Sequence, residues 1–175
     1  MPISVKRPPS FPAVLAPLRG IVTSTLSMVN RRAGDIAVVL ERDAALRELN
    51  RRWRGIDRAT DVLSFPYDSG EKPRGGGSSV PRGPARHGFA HAGPAPRVDG
   101  DLVISIDRVR EQARRYRVTR GEEMARLVIH GTLHLAGHDH HDAAERRDMR
   151  ALERAALRAS SRHVATLERT LARAE

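Results

Sequence analysis

The sequence predicts an α+β fold: a small mixed β-sheet of about four strands with helices packed on it, and one helix lying at the centre. Three observations carry this expectation. Short runs rich in β-branched residues alternate with stretches of helical periodicity. The stretch from about 120 to 135 is apolar almost all round in its later turns, which only a buried helix tolerates. The segment 68–98 is dense in Gly, Pro, Ser and Arg and separates two strand-like runs.

Taken in order, Ile3 to Val5 reads as a short edge strand. Phe11 to Val29 carries Val14, Leu15, Leu18, Ile21, Val22 and Leu26 at helical spacing, with Pro12 and Pro17 confined to its start. The run IAVVL, Ile36 to Leu40, reads as a buried strand. Asp43 is a candidate cap for a helix ending near Trp53, and DVLSFPY, Asp61 to Tyr67, reads as a second long strand stopped by Pro66. Segment 68–98 cannot bury enough apolar surface to offset its ordering entropy and is expected to be a mobile inserted loop. Order is expected to resume at Gly100. LVISI, Leu102 to Ile106, is a third clear strand, followed by a helix to about Tyr116 with Asp107 as its cap. Thr119 and Glu122 have capping-box spacing ahead of the apolar helix, and Gly137 is placed to stop it. Asp142 and Glu145 repeat the capping pattern for a last helical stretch, which Ser160 and Ser161 can break. The whole chain, 1–175, is expected to form a single domain with a helical C-terminal extension over 157–175.

Composition narrows the function classes. The 175 residues carry a formal charge of +10 and include only 3% aromatics. Nearly all the positive charge is Arg, Lys6 and Lys72 being the only lysines. Such a balance suits a polyanion such as nucleic acid, although a GC-rich coding sequence also favours Arg over Lys. So few aromatics argue against a base-stacking platform. There is no cysteine, which excludes disulfides and thiolate metal sites, so a transition metal must be held by His and carboxylate. No apolar run approaches a membrane span, and the N-terminus lacks a signal-peptide core, so a cytoplasmic location without membrane contact is expected.

The chemistry concentrates in HGTLHLAGHDHHD, beginning at His130. His130 and His134, at i and i+4, share one helix face, where two imidazoles can converge on one ion. Gly137 allows a left-handed turn that brings His140 to a third position. Three His ligands leave a fourth place open, which marks a catalytic rather than a structural zinc site. His138 and His141 are expected on the return loop as non-ligands, and His87, His91 and His163 as loop or surface residues. The spacing also fits the metalloprotease pattern H-E-x-x-H-x-x-G-x-x-H, but position 131 is Gly, so the general base of that chemistry is missing.

HGTLHLAGHDH, His130 to His140, resembles the HGxLHLxGxDH signature of the YbeY family of bacterial single-strand endoribonucleases and rRNA maturation factors. LNRRWRGIDRATDVLSF, Leu49 to Phe65, is similar to that family's LNxxYRxxDxPTDVLSF block, and GDLVIS, Gly100 to Ser105, to its GDIVIS strand. Met149 and Glu153 fit an M-x-x-x-E pattern in the closing helix. Trp53 stands where the family usually has Tyr, Ala59 where it usually has Pro, and segment 68–96 is longer than usual.

The resemblance implies a zinc-dependent, single-strand-specific endoribonuclease, with one zinc ion per chain on His130, His134 and His140. It implies action in ribosomal RNA maturation, at the 3′ end of the small-subunit rRNA, and in ribosome quality control. RNA, ribosomal RNA and the ribosomal small subunit are the implied partners. Arg54 matches the family's Arg facing the metal cleft and is the candidate catalytic residue. Asp139, Asp61 and Ser64 are candidates for supporting the ligands or the substrate. Asp139 can orient an imidazole or hold the turn, and Asp61 can equally brace a strand. Two alternatives remain: a ribosome-assembly factor with a mainly structural metal, and another metal-dependent hydrolase acting on peptides or amides.

Overall fold

The computed structural model describes residues 3–67 and 94–173. Within them, β1 (Ile3–Lys6), β2 (Arg32–Glu41), β3 (Val62–Pro66) and β4 (Arg97–Ser105) form one sheet in the order β1-β2-β4-β3. β1, β2 and β4 are parallel, and β3 runs antiparallel on the far edge beside β4. Six helices accompany the sheet: α1 (Leu15–Met28), α2 (Asp43–Arg54), α3 (Ile106–Tyr116), α4 (Arg120–Leu135), α5 (Ala143–Ala159) and α6 (Ser161–Ala172). The expected α+β class, with about four strands, is the one observed.

Alternation along the strands assigns the two faces of the sheet. Val38, Leu40, Leu102, Ile104 and Val62 join the main core with apolar residues of α1, α4, α5 and α6. The intervening Val39, Leu63, Val103 and Phe65 form a smaller cluster with Leu46 and Leu49 of α2. α4 lies in the main core, with Met124, Val128, Ile129 and Leu133 at most 1% exposed, as its all-round apolar character requires. α5 and α6 are separated at Ser160. Val164, Leu167 and Leu171 bury one side of α6 against that core.

Strand β4 starts earlier than hydropathy suggests. Of segment 68–98, residues 68–93 lie outside the described residues, and Arg97 and Val98 already belong to β4. The reason is charge pairing. Arg97 bridges Asp35 at 2.9 Å and Asp99 at 2.7 Å, and Asp99 accepts the Asp35 backbone N–H at 2.6 Å. These contacts also lengthen β2 back to Arg32, beyond the apolar run at 36–40.

Two helix caps differ from expectation. Asp43 sits inside the first turn of α2, behind the N-cap residue Arg42, and Asp107 sits inside the first turn of α3. The residue that caps α3 is Ser105, whose hydroxyl accepts from the Arg108 N–H at 3.2 Å. The carboxylates serve each other's helices. Asp107 accepts the Asp43 N–H at 3.1 Å and pairs with Arg42, and Asp43 accepts the Ser105 hydroxyl. Among the described residues, no helix is long and apolar enough to cross a membrane.

Candidate metal centre

α4 delivers two of the three candidate ligands, and its termination delivers the third. Thr119 caps the helix by accepting the Glu122 N–H at 3.0 Å. The Glu122 side chain turns outward to Arg126 at 2.8 Å, so only the Thr119 half of the expected capping box forms. At the other end Gly137 takes φ +89°, the left-handed conformation that a side chain disfavours. The Gly137 N–H donates to the His134 carbonyl and the His138 N–H to the Leu133 carbonyl, both at 3.0 Å. This is a Schellman closure, and it folds the chain back over the last turn of α4. The returning strand of chain reaches His140 before Asp142 and Glu145 start α5 with a complete capping box.

The result is convergence of three imidazoles. One ligand nitrogen from each of His130, His134 and His140 lies within 4.8 Å of the other two. His130 Nε2 and His134 Nε2 are 3.1 Å apart. Ring centroids are separated by 4.6 Å for His130 and His134, 5.5 Å for His130 and His140, and 5.1 Å for His134 and His140. Tetrahedral bonds of ~2.0–2.1 Å place ligand nitrogens about 3.3 Å from one another, a spacing that His130 and His134 already have and that His140 can close to on a single metal ion. Burial drives the pKa of His134 down to about 4, helped by the neighbouring His130, His140 and Arg54 and opposed by Asp139. Its ring is therefore neutral near pH 7, with a lone pair free to ligate.

Arg54, the last residue of α2, is exposed and makes no hydrogen bond or ion pair among the described residues, yet its charge is felt at His134. Gly55 caps α2 in the left-handed conformation, with φ +70°. Asp139 accepts the His140 N–H at 2.8 Å and the His141 ring at 2.6 Å, and lies 4.0 Å from His134 Nδ1. Burial pushes its pKa up, but the His140 amide and the adjacent imidazoles outweigh this and leave it lowered. Ser64 Oγ donates to the Gly131 carbonyl at 3.3 Å, tying β3 to α4 beside His130. Asp61 accepts from the Val62 N–H at 2.9 Å and from Gln112 Nε2 at 3.2 Å, which braces the start of β3 against α3. It also lines a cavity of about 260 Å³ with His130, Glu153, Arg126 and Arg154.

Position 131 explains the missing protease base. A Cβ at Gly131 would stand 2.9 Å from Leu102 Cδ2 and 3.2 Å from both Ser64 Oγ and Val62 Cγ2. This side of α4 is pressed onto β3 and β4, so any side chain at 131 requires Leu102, Ser64 and Val62 to give way.

The comparisons with known proteins agree with this arrangement. The family described as Endoribonuclease YbeY matches residues 16–161, which include all three histidines and Arg54. The chain belongs to the YbeY endoribonuclease family. An endoribonuclease YbeY of Myxococcus xanthus is 43% identical over 119 residues, 68% of this chain and 34% of that protein. The one from Roseiflexus castenholzii is 40% identical, over 70% of this chain and 68% of its own length. That of Pelotomaculum thermopropionicum is 33% identical over 90% of this chain and 95% of its own. This chain thus spans about a third of the Myxococcus relative. A solution structure of a Thermotoga maritima protein shares the fold, with TM-score 0.57 and 24% identity over 90% of this chain and 88% of that one.

Sequence reasoning gave no role to one side chain at the centre of this YbeY-family site. Glu153 Oε1 lies 2.7 Å from His130 Nδ1. The available signal was its spacing from Met149 on α5. Trp53, next to Arg54 in the chain, is 57% exposed, its ring set edge-on to Phe65 at 6.0 Å.

Proposed function

We propose that this chain is a zinc-dependent endoribonuclease that cuts single-stranded RNA during ribosomal RNA maturation, at the 3′ end of the small-subunit rRNA, and in ribosome quality control in the cytoplasm. One observation carries the reading: the convergence of His130, His134 and His140 in a chain of the YbeY family. An all-nitrogen, three-ligand donor set suits zinc and leaves a coordination position open for chemistry.

When bound, zinc supplies Lewis acidity, polarising a phosphoryl oxygen and acidifying water. The chain's own residues do the rest. His130, His134 and His140 would hold the ion through ring nitrogens that bring no negative charge of their own, so its charge would act toward a phosphate. Arg54 presents five N–H donors in a planar fork and binds a second phosphoryl oxygen, where charge builds up in the transition state. Surface arginines hold the flanking backbone.

The test is cleavage of single-stranded and duplex oligoribonucleotides by the purified protein. The expected result is cleavage of the single strand, lost on chelation, restored by added zinc and absent in His134→Ala. Cleavage that survives both chelation and the substitution overturns the proposal. The 3′ ends of the products separate attack by water from attack by the 2′-hydroxyl.

A further inference from the structure

A histidine has two ring nitrogens, and a metal site works only if the one facing the ion is bare. In neutral imidazole one nitrogen carries the proton, so something must hold that proton on the other. At His130 the direction is fixed by geometry. Its Nε2 faces His134 Nε2 at 3.1 Å, toward the centre, and its Nδ1 faces Glu153 Oε1 at 2.7 Å, away from it.

Glu153 reaches this place through the periodicity of α5. Met149, Glu153 and Ala156 stand at i, i+4 and i+7, one helix stripe. Met149 is 3% exposed and Ala156 fully buried, so the stripe is the side of α5 that packs on the core. The other two carboxylates of α5 are exposed, Glu145 in the capping box and Asp148 on the outer side. Glu153 is therefore the α5 carboxylate that the packing aims at α4, twenty-three residues from the histidine it touches. His134 and His140 have no comparable partner among the described residues: the carboxylate near His134 Nδ1 is Asp139, at 4.0 Å.

We propose that Glu153 is the positioning residue of the three-histidine centre: it holds the proton on Nδ1 of His130, fixes that ring's rotation, and so commits Nε2 to the metal. This rests on the reading of the three histidines as metal ligands. A carboxylate behind a ligating imidazole also raises its basicity, and removing such partners typically costs 10–100-fold in metal affinity. α5 thereby becomes part of the metal site although it supplies no ligand.

Two measurements on the same full-length preparations test this. The first is zinc affinity by competition with a chromophoric chelator, for wild type, Glu153→Gln and Glu153→Ala. The expected order is a 10–100-fold loss in Glu153→Ala and a smaller one in Glu153→Gln, which keeps an acceptor oxygen but not the charge. The second is the tautomer of His130 in the metal-free protein, read from long-range ¹H–¹⁵N correlations at pH 8. Wild type is expected to carry the proton on Nδ1, and Glu153→Ala to shift toward the Nε2–H form. If Glu153→Ala folds poorly, Glu153→Gln and the wild-type tautomer decide. Equal zinc affinity in all three proteins, or an Nε2–H tautomer in metal-free wild type, overturns the proposal. Wild type that binds no zinc would overturn the ligand reading beneath it, and the two failures are thus told apart.

Discussion

At the scale of single residues, the site divides into side chains that spacing reveals and side chains that only packing reveals. His130, His134 and His140 were legible because helical periodicity and one glycine suffice to converge them. Glu153 was not, because the contact joins two helices and depends on which stripe of α5 faces inward. Arg54 lies between these cases. In the sequence it is one of many arginines, marked out only by its block; in the structure it is exposed, without an ion pair among the described residues, and close enough to lower the pKa of His134. An exposed guanidinium with no ion pair among the described residues gains little for the fold and is poised for an anion. Arg54→Ala should therefore melt within ~0.5 kcal/mol of wild type and keep its metal. RNA cleavage should still fall by an order of magnitude or more, as when a preorganised charge on the transition state is removed. Arg54→Lys should recover part of the loss, since a point charge replaces the fork. Unchanged cleavage at full metal occupancy would return Arg54 to the solvated surface.

At the scale of elements, α4 was readable as the central helix from its apolar circumference, and the strands from their β-branched runs. What escaped was polar. The early starts of β2 and β4 rest on the Asp35, Arg97 and Asp99 contacts, and the exchanged caps of α2 and α3 depend on the two helix starts lying side by side. Both are products of sheet order, which hydropathy does not encode. α4 holds one further polar surprise, Glu123, 3% exposed, with Oε2 lacking a hydrogen-bond partner among the described residues. Burial pushes its pKa up, reinforced by Asp61 and Glu122 and opposed by Arg126. A raised carboxyl pKa means that the native state binds the proton more tightly than the unfolded chain. Stability is then fullest below the ordinary glutamate value of 4.5 and declines as pH rises through the folded value. Glu123→Gln, neutral at every pH, should raise the melting temperature at pH 7 and remove that decline. A variant less stable than wild type at pH 7, with the decline unchanged, would show that the Glu123 carboxylate is satisfied in its ionised form.

At the scale of the whole molecule, charge and one aromatic ring meet at the end of α2. The net charge of +10 predicts that RNA is held largely through its backbone, and exposed Arg51, Arg52, Arg54 and Arg58 stand close in sequence to Trp53, Arg51 paired with Glu48. Arg52 lies over the indole at 5.6 Å, Phe65 meets the ring edge-to-face at 6.0 Å, and the residue stays 57% exposed. An aromatic face among guanidinium groups is the arrangement that stacks an unpaired base while salt links hold its phosphates. Trp53 is the only tryptophan in the chain, so its fluorescence reports on this place alone. Single-stranded oligoribonucleotide added to metal-free protein, where no cleavage competes, should quench it. Affinity measured by anisotropy should fall with salt at a slope of about −0.7 per phosphate contact. Trp53→Ala should weaken binding by about 1–3 kcal/mol, the value of one stacked base, and leave the salt slope nearly unchanged, because stacking releases no counterions. Trp53→Phe should restore much of the loss. Saturating RNA that leaves the fluorescence untouched would place the strand elsewhere on the surface. A flatter salt slope in Trp53→Ala would instead mean that the ring acts by arranging the arginines around it.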